Sequence, residues 1–256
     1  MIVAAALGLV SLLAWGYLLS GAGTGMAPEA MTTWQFPPKA GTLFGPAQWS
    51  PAYALIMIVM WFVMMIAMML PSAVPMMLIY ARVFRQSQRQ GQIGPGAPPV
   101  AAVVSGYLTC WLGFSVLATL LQFGFEKASL VDGMWMWSIN RYLTAGLLIA
   151  AGLYQLSALK QACLSHCRSP ASYIAGKWQA GSGGAFRVGL EHGAYCLGCC
   201  WVLMLLLFAG GVMNLVWIAG LTVLVLLEKL APFGARLTIP IAIVLIASGL
   251  GVAVWA

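Results

Sequence analysis

Charge is what this chain has least of. Of its 256 residues five are acidic and twelve basic, so 7% are charged, against about 25% in an average soluble domain. Hydrophobic residues make up 62% and mean hydropathy is +0.94. Those values exclude a soluble globular domain and leave a polytopic membrane protein. The chain also lacks a Ser/His/Asp set, a phosphate-binding glycine loop and paired carboxylates, which removes the common bases for hydrolysis and for ATP use. Its net charge of +7 does not call for nucleic acid, because the basic residues are scattered beside apolar spans and form no patch. An even number of cysteines can mean a small disulfide scaffold, but length and hydropathy exclude that. There is no internal repeat and no second domain. Residues 1–256 form one integral membrane domain, with an N-terminal helix and outer interfacial loop over 1–50 and a helical core over 51–256.

A bilayer core takes about 20 apolar residues per helix, which places candidate spans near 2 to 20, 52 to 80, 100 to 124, 140 to 159, 188 to 209, 213 to 228 and 238 to 255. The fold class is therefore all-α, a bundle of six or seven transmembrane helices. The first run lacks the charged flank of a signal peptide and is taken as a helix; the small residues after Ser20 leave a cleaved leader as the alternative. Short loops holding Arg82, Arg85, Arg89, Lys160, Arg168, Lys177, Arg187, Lys229 and Arg236 fall on one side, and Lys39, Lys127 and Arg141 on the other. The positive-inside rule puts the richer side in the cytoplasm, as in a bacterial-type inner membrane. The loop from Gly21 to Ser50, with Trp34, Phe36 and Trp49, suits the headgroup layer. The Gly181–Gly184 stretch looks like a flexible break, and Gly210-Gly211 a turn between two spans.

Both histidines and five of the six cysteines fall in two clusters, Cys163, His166 and Cys167, and then His192, Cys196, Cys199 and Cys200. The second set recurs at i, i+4, i+7 and i+8, one stripe of a helix, beginning about one turn inside the membrane. The first, at i, i+3 and i+4, fits a single turn. Spans four and five share one cytoplasmic loop, so both clusters are expected at the same face and can converge. A single cysteine would be read as a small packing residue; three cysteines and a histidine on one face favour a soft-metal site. Thiolate and imidazole suit Cu(I) and Zn(II) alike. Cys110, alone in span three, is most simply a buried small hydrophobe.

Methionine favours copper. Met57, Met60, Met64 and Met68 recur on one helical face, with Met65 and Met69 beside it, and a thioether is a good ligand for Cu(I) and a poor one for Zn(II). Methionine is also an ordinary gap filler of membrane cores, so the run alone divides evenly between ligand and packing. Pro71 and Pro75 are expected to bend or break the helix just beyond it, with Ser72 placed to satisfy a freed carbonyl. Glu191 could orient the neighbouring His192, and Glu228 with Lys229 suggests an interfacial ion pair.

The segment Trp61-Phe-Val-Met64-Met65-Ile-Ala67-Met68-Met69-Leu-Pro71-Ser72 with Pro75-Met76, and the later Gly193-Ala-Tyr195-Cys196-Leu-Gly198-Cys199-Cys200-Trp201 through Met213-Asn214 to Glu228-Lys229, resemble the two signatures of a family described as metal-binding integral membrane proteins, domain of unknown function 2182. The stretch from Tyr154-Gln155 to Cys163, His166 and Cys167 fits as well, so the resemblance runs from about 50 to 235. It implies metal binding and copper handling, and it brings no mechanism.

The expected function is membrane handling of a thiophilic ion, Cu(I) before Zn(II), through a methionine ladder and a Cys/His site. Transport, chaperoning and delivery to a membrane cuproenzyme all remain open. The partners are the bilayer and a copper-carrying protein or cuproenzyme, with no nucleic acid and no catalytic residues. The alternatives are a thiol–disulfide protein using Cys196, Cys199 and Cys200, which leaves the methionines unexplained, and a structural subunit of a membrane complex.

Overall fold

The computed structural model describes residues 2–22, 32–36, 47–94, 96–171, 174 and 181–255. Lys39, Lys177 and the part of the expected outer loop from 23 to 31 and from 37 to 46 lie outside them. Helices dominate: α1 (Ile2–Leu19), α2 (Pro51–Arg89), α3 (Val100–Lys127), α4 (Arg141–Gln155), α5 (Ala158–Arg168), α6 (Gly181–Leu205), the one-turn α7 (Leu207–Gly210), α8 (Leu215–Leu230) and α9 (Thr238–Trp255), the last preceded by a 3-10 turn at Gly234–Leu237. Among the described residues there is no strand, only an isolated bridge between Val131 and Ser138.

Five helical stretches are long and apolar enough to cross a membrane, at 2–19, 51–89, 100–127, 181–210 and 234–255. The expected span at 140 to 159 is one arm of a bent pair, α4 and α5 meeting at 64°, which counts as a sixth crossing if the two arms form one span. The bend has a local cause. Ser157 leaves helical geometry, and its hydroxyl accepts the Lys160 amide to start α5 afresh, as an N-cap does. The expected span at 213 to 228 is the 16-residue α8, capped by the Asn214 side chain on Val216 and Trp217.

Two expectations need correction. The Gly181–Gly184 stretch is not a break, since α6 starts at Gly181; at about 1.5 Å per residue His192 stands roughly 16 Å along the helix. Pro71 and Pro75 do not interrupt α2, which is helical across all 39 residues. Just before the first proline the Tyr107 hydroxyl of α3 donates to the Met69 carbonyl at 3.1 Å, and Ser72 of α2 itself donates to the same oxygen at 2.8 Å. Ser72 therefore serves Met69 and neither of the carbonyls, 67 and 71, that the prolines deprive of a donor.

Glycine lets α3 and α6 meet backbone to backbone. Gly106 faces Phe186 and Leu190, Gly189 faces Val103, and a Cβ at Gly193 would stand 3.0 Å from the Cys110 sulfur. Gly189 and Gly193 are one turn apart, the small-xxx-small spacing of closely packed membrane helices. The reversal after α7 depends on Gly211, whose φ of +103° is accessible at little cost to glycine. These contacts bring α2, α3, α5, α6 and α8 around one buried region.

Candidate metal centre

The three cysteines of α6 lie at the middle of that region. Cys196, Cys199 and Cys200 are each 1% exposed, and they point to different neighbours. The Cys196 sulfur has the Tyr107 hydroxyl of α3 at 3.0 Å and the Lys229 ammonium of α8 at 2.8 Å. Cys200 faces α2, its sulfur 3.8 Å from the Met69 sulfur, with Lys229 3.9 Å away. The Cys199 and Cys200 thiols also donate to the Cys196 carbonyl, at 3.1 and 2.9 Å, the back-bond of a small polar side chain inside a helix.

From α5, Cys167 lies beside Cys196 and Cys199. Cys163 packs on Gly198, where an added Cβ would stand 2.7 Å from its sulfur. The absence of a side chain at 198 is what lets α5 approach so closely, and Tyr154 donates to the Gly198 carbonyl from α4. The two cysteine clusters therefore converge, as their shared loop suggests. All six cysteines are free thiols.

The histidines separate. His192 is buried, its ring 5.9 Å from that of Tyr107 and one turn before Cys196. His166 is exposed, stacked on Tyr195 at 4.2 Å with its Nδ1 against the Ala162 carbonyl. Glu191 meets Arg187 at 3.2 Å. Among the described residues no three Cys, His, Asp or Glu side chains yet stand close enough together to share a metal ion. The Lys229 ammonium fills the space beside the Cys196 and Cys200 sulfurs.

The methionines line one buried column. Met57, Met60, Met64, Met65, Met68 and Met69 are all 0–1% exposed. Met69 touches Cys200, as above, and at the other end the Met57 sulfur accepts the Gln122 amide at 3.7 Å. Twelve residues of helix separate these ends, roughly 18 Å.

Sequence reasoning missed Tyr107 and the roles of Glu228 and Lys229. These two do not pair with each other. Glu228 takes the buried Lys160 ammonium at 2.8 Å and the Gln155 amide at 2.8 Å, while Lys229, one residue on, turns to Cys196. Only the rarity of lysine in apolar stretches could have signalled this. Cys110, expected as a buried small hydrophobe, is half-buried and donates to the Leu190 carbonyl at 3.2 Å.

A family model described as PpoB2, copper chaperone, matches residues 58–252, well over half of the chain and every cysteine and histidine in it. No curated protein and no solved structure matches.

Proposed function

The chain belongs to the PpoB2 family of copper chaperones, and from that premise we propose that it takes up Cu(I) on the methionine column of α2 and holds it at the cysteine node for delivery to a copper-carrying protein or membrane cuproenzyme. The observation that carries this reading is the contact between Cys200 and Met69, two sulfurs from different helices 3.8 Å apart. Two ligands about 2.3 Å from a tetrahedral metal, the usual metal–thiolate length, stand about that far from each other.

Around this pair the chemistry is soft throughout. Cys196, Cys199, Cys167 and Cys163 supply thiols, Met68 and Met69 thioethers, and His192 an imidazole one turn away. Cu(I) is satisfied by two or three such sulfurs, whereas Zn(II) takes four ligands and disfavours thioether. Lys229 shows that the node tolerates one positive charge beside Cys196 and Cys200. A monovalent ion can take that position as the flexible lysine chain withdraws. Movement follows rising affinity from neutral thioethers to thiolates. The membrane is the bacterial-type inner membrane, with Lys160, Arg168 and Lys229 toward the cytoplasm.

Purified protein handled under reducing conditions should carry about one Cu(I), and Cys196→Ser, Cys199→Ser and Cys200→Ser together should remove it. Full copper content in that triple variant contradicts the ligand assignment, and zinc in place of copper contradicts the choice of ion. A disulfide cycling in protein that carries no metal would favour the redox alternative.

A further inference from the structure

Cu(I) carries a charge that neutral thioethers cannot cancel, and a charge in a dry apolar interior is costly. If the methionine column receives the ion, as proposed above, a negative group near its outer end lowers that cost. The cysteine node cannot supply it there, because about 18 Å of helix intervenes and Lys229 adds positive charge at the inner end.

The structure holds such a group. Glu126, near the C-terminus of α3, is 1% exposed, and Gln122, one turn before it, is 0% exposed. The Gln122 amide nitrogen donates to the Glu126 carboxylate at 2.9 Å and to the Met57 sulfur at 3.7 Å. Its oxygen accepts the Trp61 indole at 2.9 Å. The second carboxylate oxygen of Glu126 accepts the Trp49 indole at 2.8 Å. Both of these partners donate to the carboxylate, the arrangement that offsets part of the cost of charge at a buried acid. No described Lys or Arg forms an ion pair with Glu126: the adjacent Lys127 lies over the Phe123 ring at 4.7 Å. One amide nitrogen thus sits between a carboxylate and the first thioether of the column.

We infer that Glu126, relayed by Gln122, is the counter-charge through which a bare monovalent soft cation enters the methionine column at Met57. The inference rests on the copper reading and deepens it. Glu126 is a positioning group and no sulfur-type ligand; it sets how readily the ion leaves water, whereas the cysteines set how tightly it is finally held.

The test uses the full chain reconstituted in vesicles in one orientation, the Pro51 end of α2 outward, with a membrane-impermeant Cu(I) chelate outside. Copper bound to the protein is followed over time. Glu126→Gln is expected to slow loading at least about tenfold with the final copper content unchanged. The exchange Gln122→Glu with Glu126→Gln moves the charge one turn inward and keeps the hydrogen bonds to both indoles and between the two side chains: the Trp49 indole meets an amide oxygen at 126, that amide donates to the carboxylate at 122, and Trp61 donates to the same carboxylate; only the amide contact to the Met57 sulfur is given up, and the carboxylate then faces that sulfur directly. It should load within about threefold of the unaltered protein, a recovery that a purely structural role does not produce, and it decides the matter alone if the single variant fails to accumulate. Normal loading in Glu126→Gln, or an exchange variant as slow as the single one, overturns the inference. Outcomes for the functional reading stay separate. If the triple serine variant of the cysteine node loses copper while Glu126→Gln loads normally, only this inference falls; if the serine variant keeps its copper, the functional reading falls.

Discussion

At the Met57 end of the column Glu126 is held by N–H donors alone, whereas beyond the Met69 end Glu228 is held by the Lys160 ammonium 2.8 Å away. Both carboxylates are buried, at 1% and 2% exposure, so burial is not what distinguishes them. One has no cation paired with it among the described residues. The other is cancelled, and the next residue, Lys229, presents its ammonium to the sulfur of Cys196. Two buried lysines thus face one carboxylate and one thiol, and the inner end is left with positive charge that only a thiolate can match. The same neutral thioethers therefore run between an end biased to accept a cation and an end where a cation already stands against sulfur. The contrast teaches that the identity of the ligands and the balance of charge are set largely by different helices: α2 and α6 bring sulfur, α3 and α8 bring charge, and α5 brings both, Cys163 and Cys167 with Lys160.

The largest effect is expected where that balance is broken by half. Lys160→Met leaves Glu228 buried without its cation and should cost about 3–5 kcal/mol, seen as a large fall in the thermal midpoint of the purified protein. Restoring most of it with Glu228→Gln in the same chain would identify charge as the cause; no recovery would mean that Lys160 acts through packing of its stem. Because Lys160 lies three residues before Cys163, the single variant should also loosen α5 from the cysteine node.

A smaller change in stability, with a larger one in function, is expected from the column. Met64→Leu, Met65→Leu and Met68→Leu conserve volume and should cost under about 1.5 kcal/mol each, so expression and the copper content of the cysteine node should persist while the rate of copper delivery falls. An unchanged rate would return these residues to the ordinary core. The smallest effect belongs to His166→Ala. The ring is exposed and stacked on Tyr195, so stability should change by no more than about 0.5 kcal/mol. A loss of bound copper in that variant would show that α5 turns its histidine inward when the ion is present, and would restore His166 to the ligand set.

What the sequence shows of this fold is what depends on spacing along one helix. The cysteines of α6 recur within two turns, the methionines of α2 within four, and both patterns predict the faces that are buried. Convergence of Cys163 and Cys167 with Cys196 and Cys199 was also readable, because one loop joins their helices. The contacts that depend on partners distant in sequence were not. Tyr107 and Cys196 are 89 residues apart, Lys160 and Glu228 68, and nothing local in Glu228-Lys229 tells that adjacent side chains leave α8 for different helices. The length of α6 was misjudged because its first turn, Gly181–Gly184, is glycine and serine, residues of low helix propensity.

The central claim, that one copper ion is shared between a thiol of α6 and the thioether of Met69, has a direct measurement. The methionines can be replaced by selenomethionine and the Cu(I)-loaded protein examined by X-ray absorption at the selenium and copper edges. The account predicts a copper–selenium scattering shell that disappears in Met69→Leu and survives in Met213→Leu, whose side chain is equally buried but lies in the turn before α8. A copper shell of light atoms alone, or a selenium shell that persists without Met69, would contradict it.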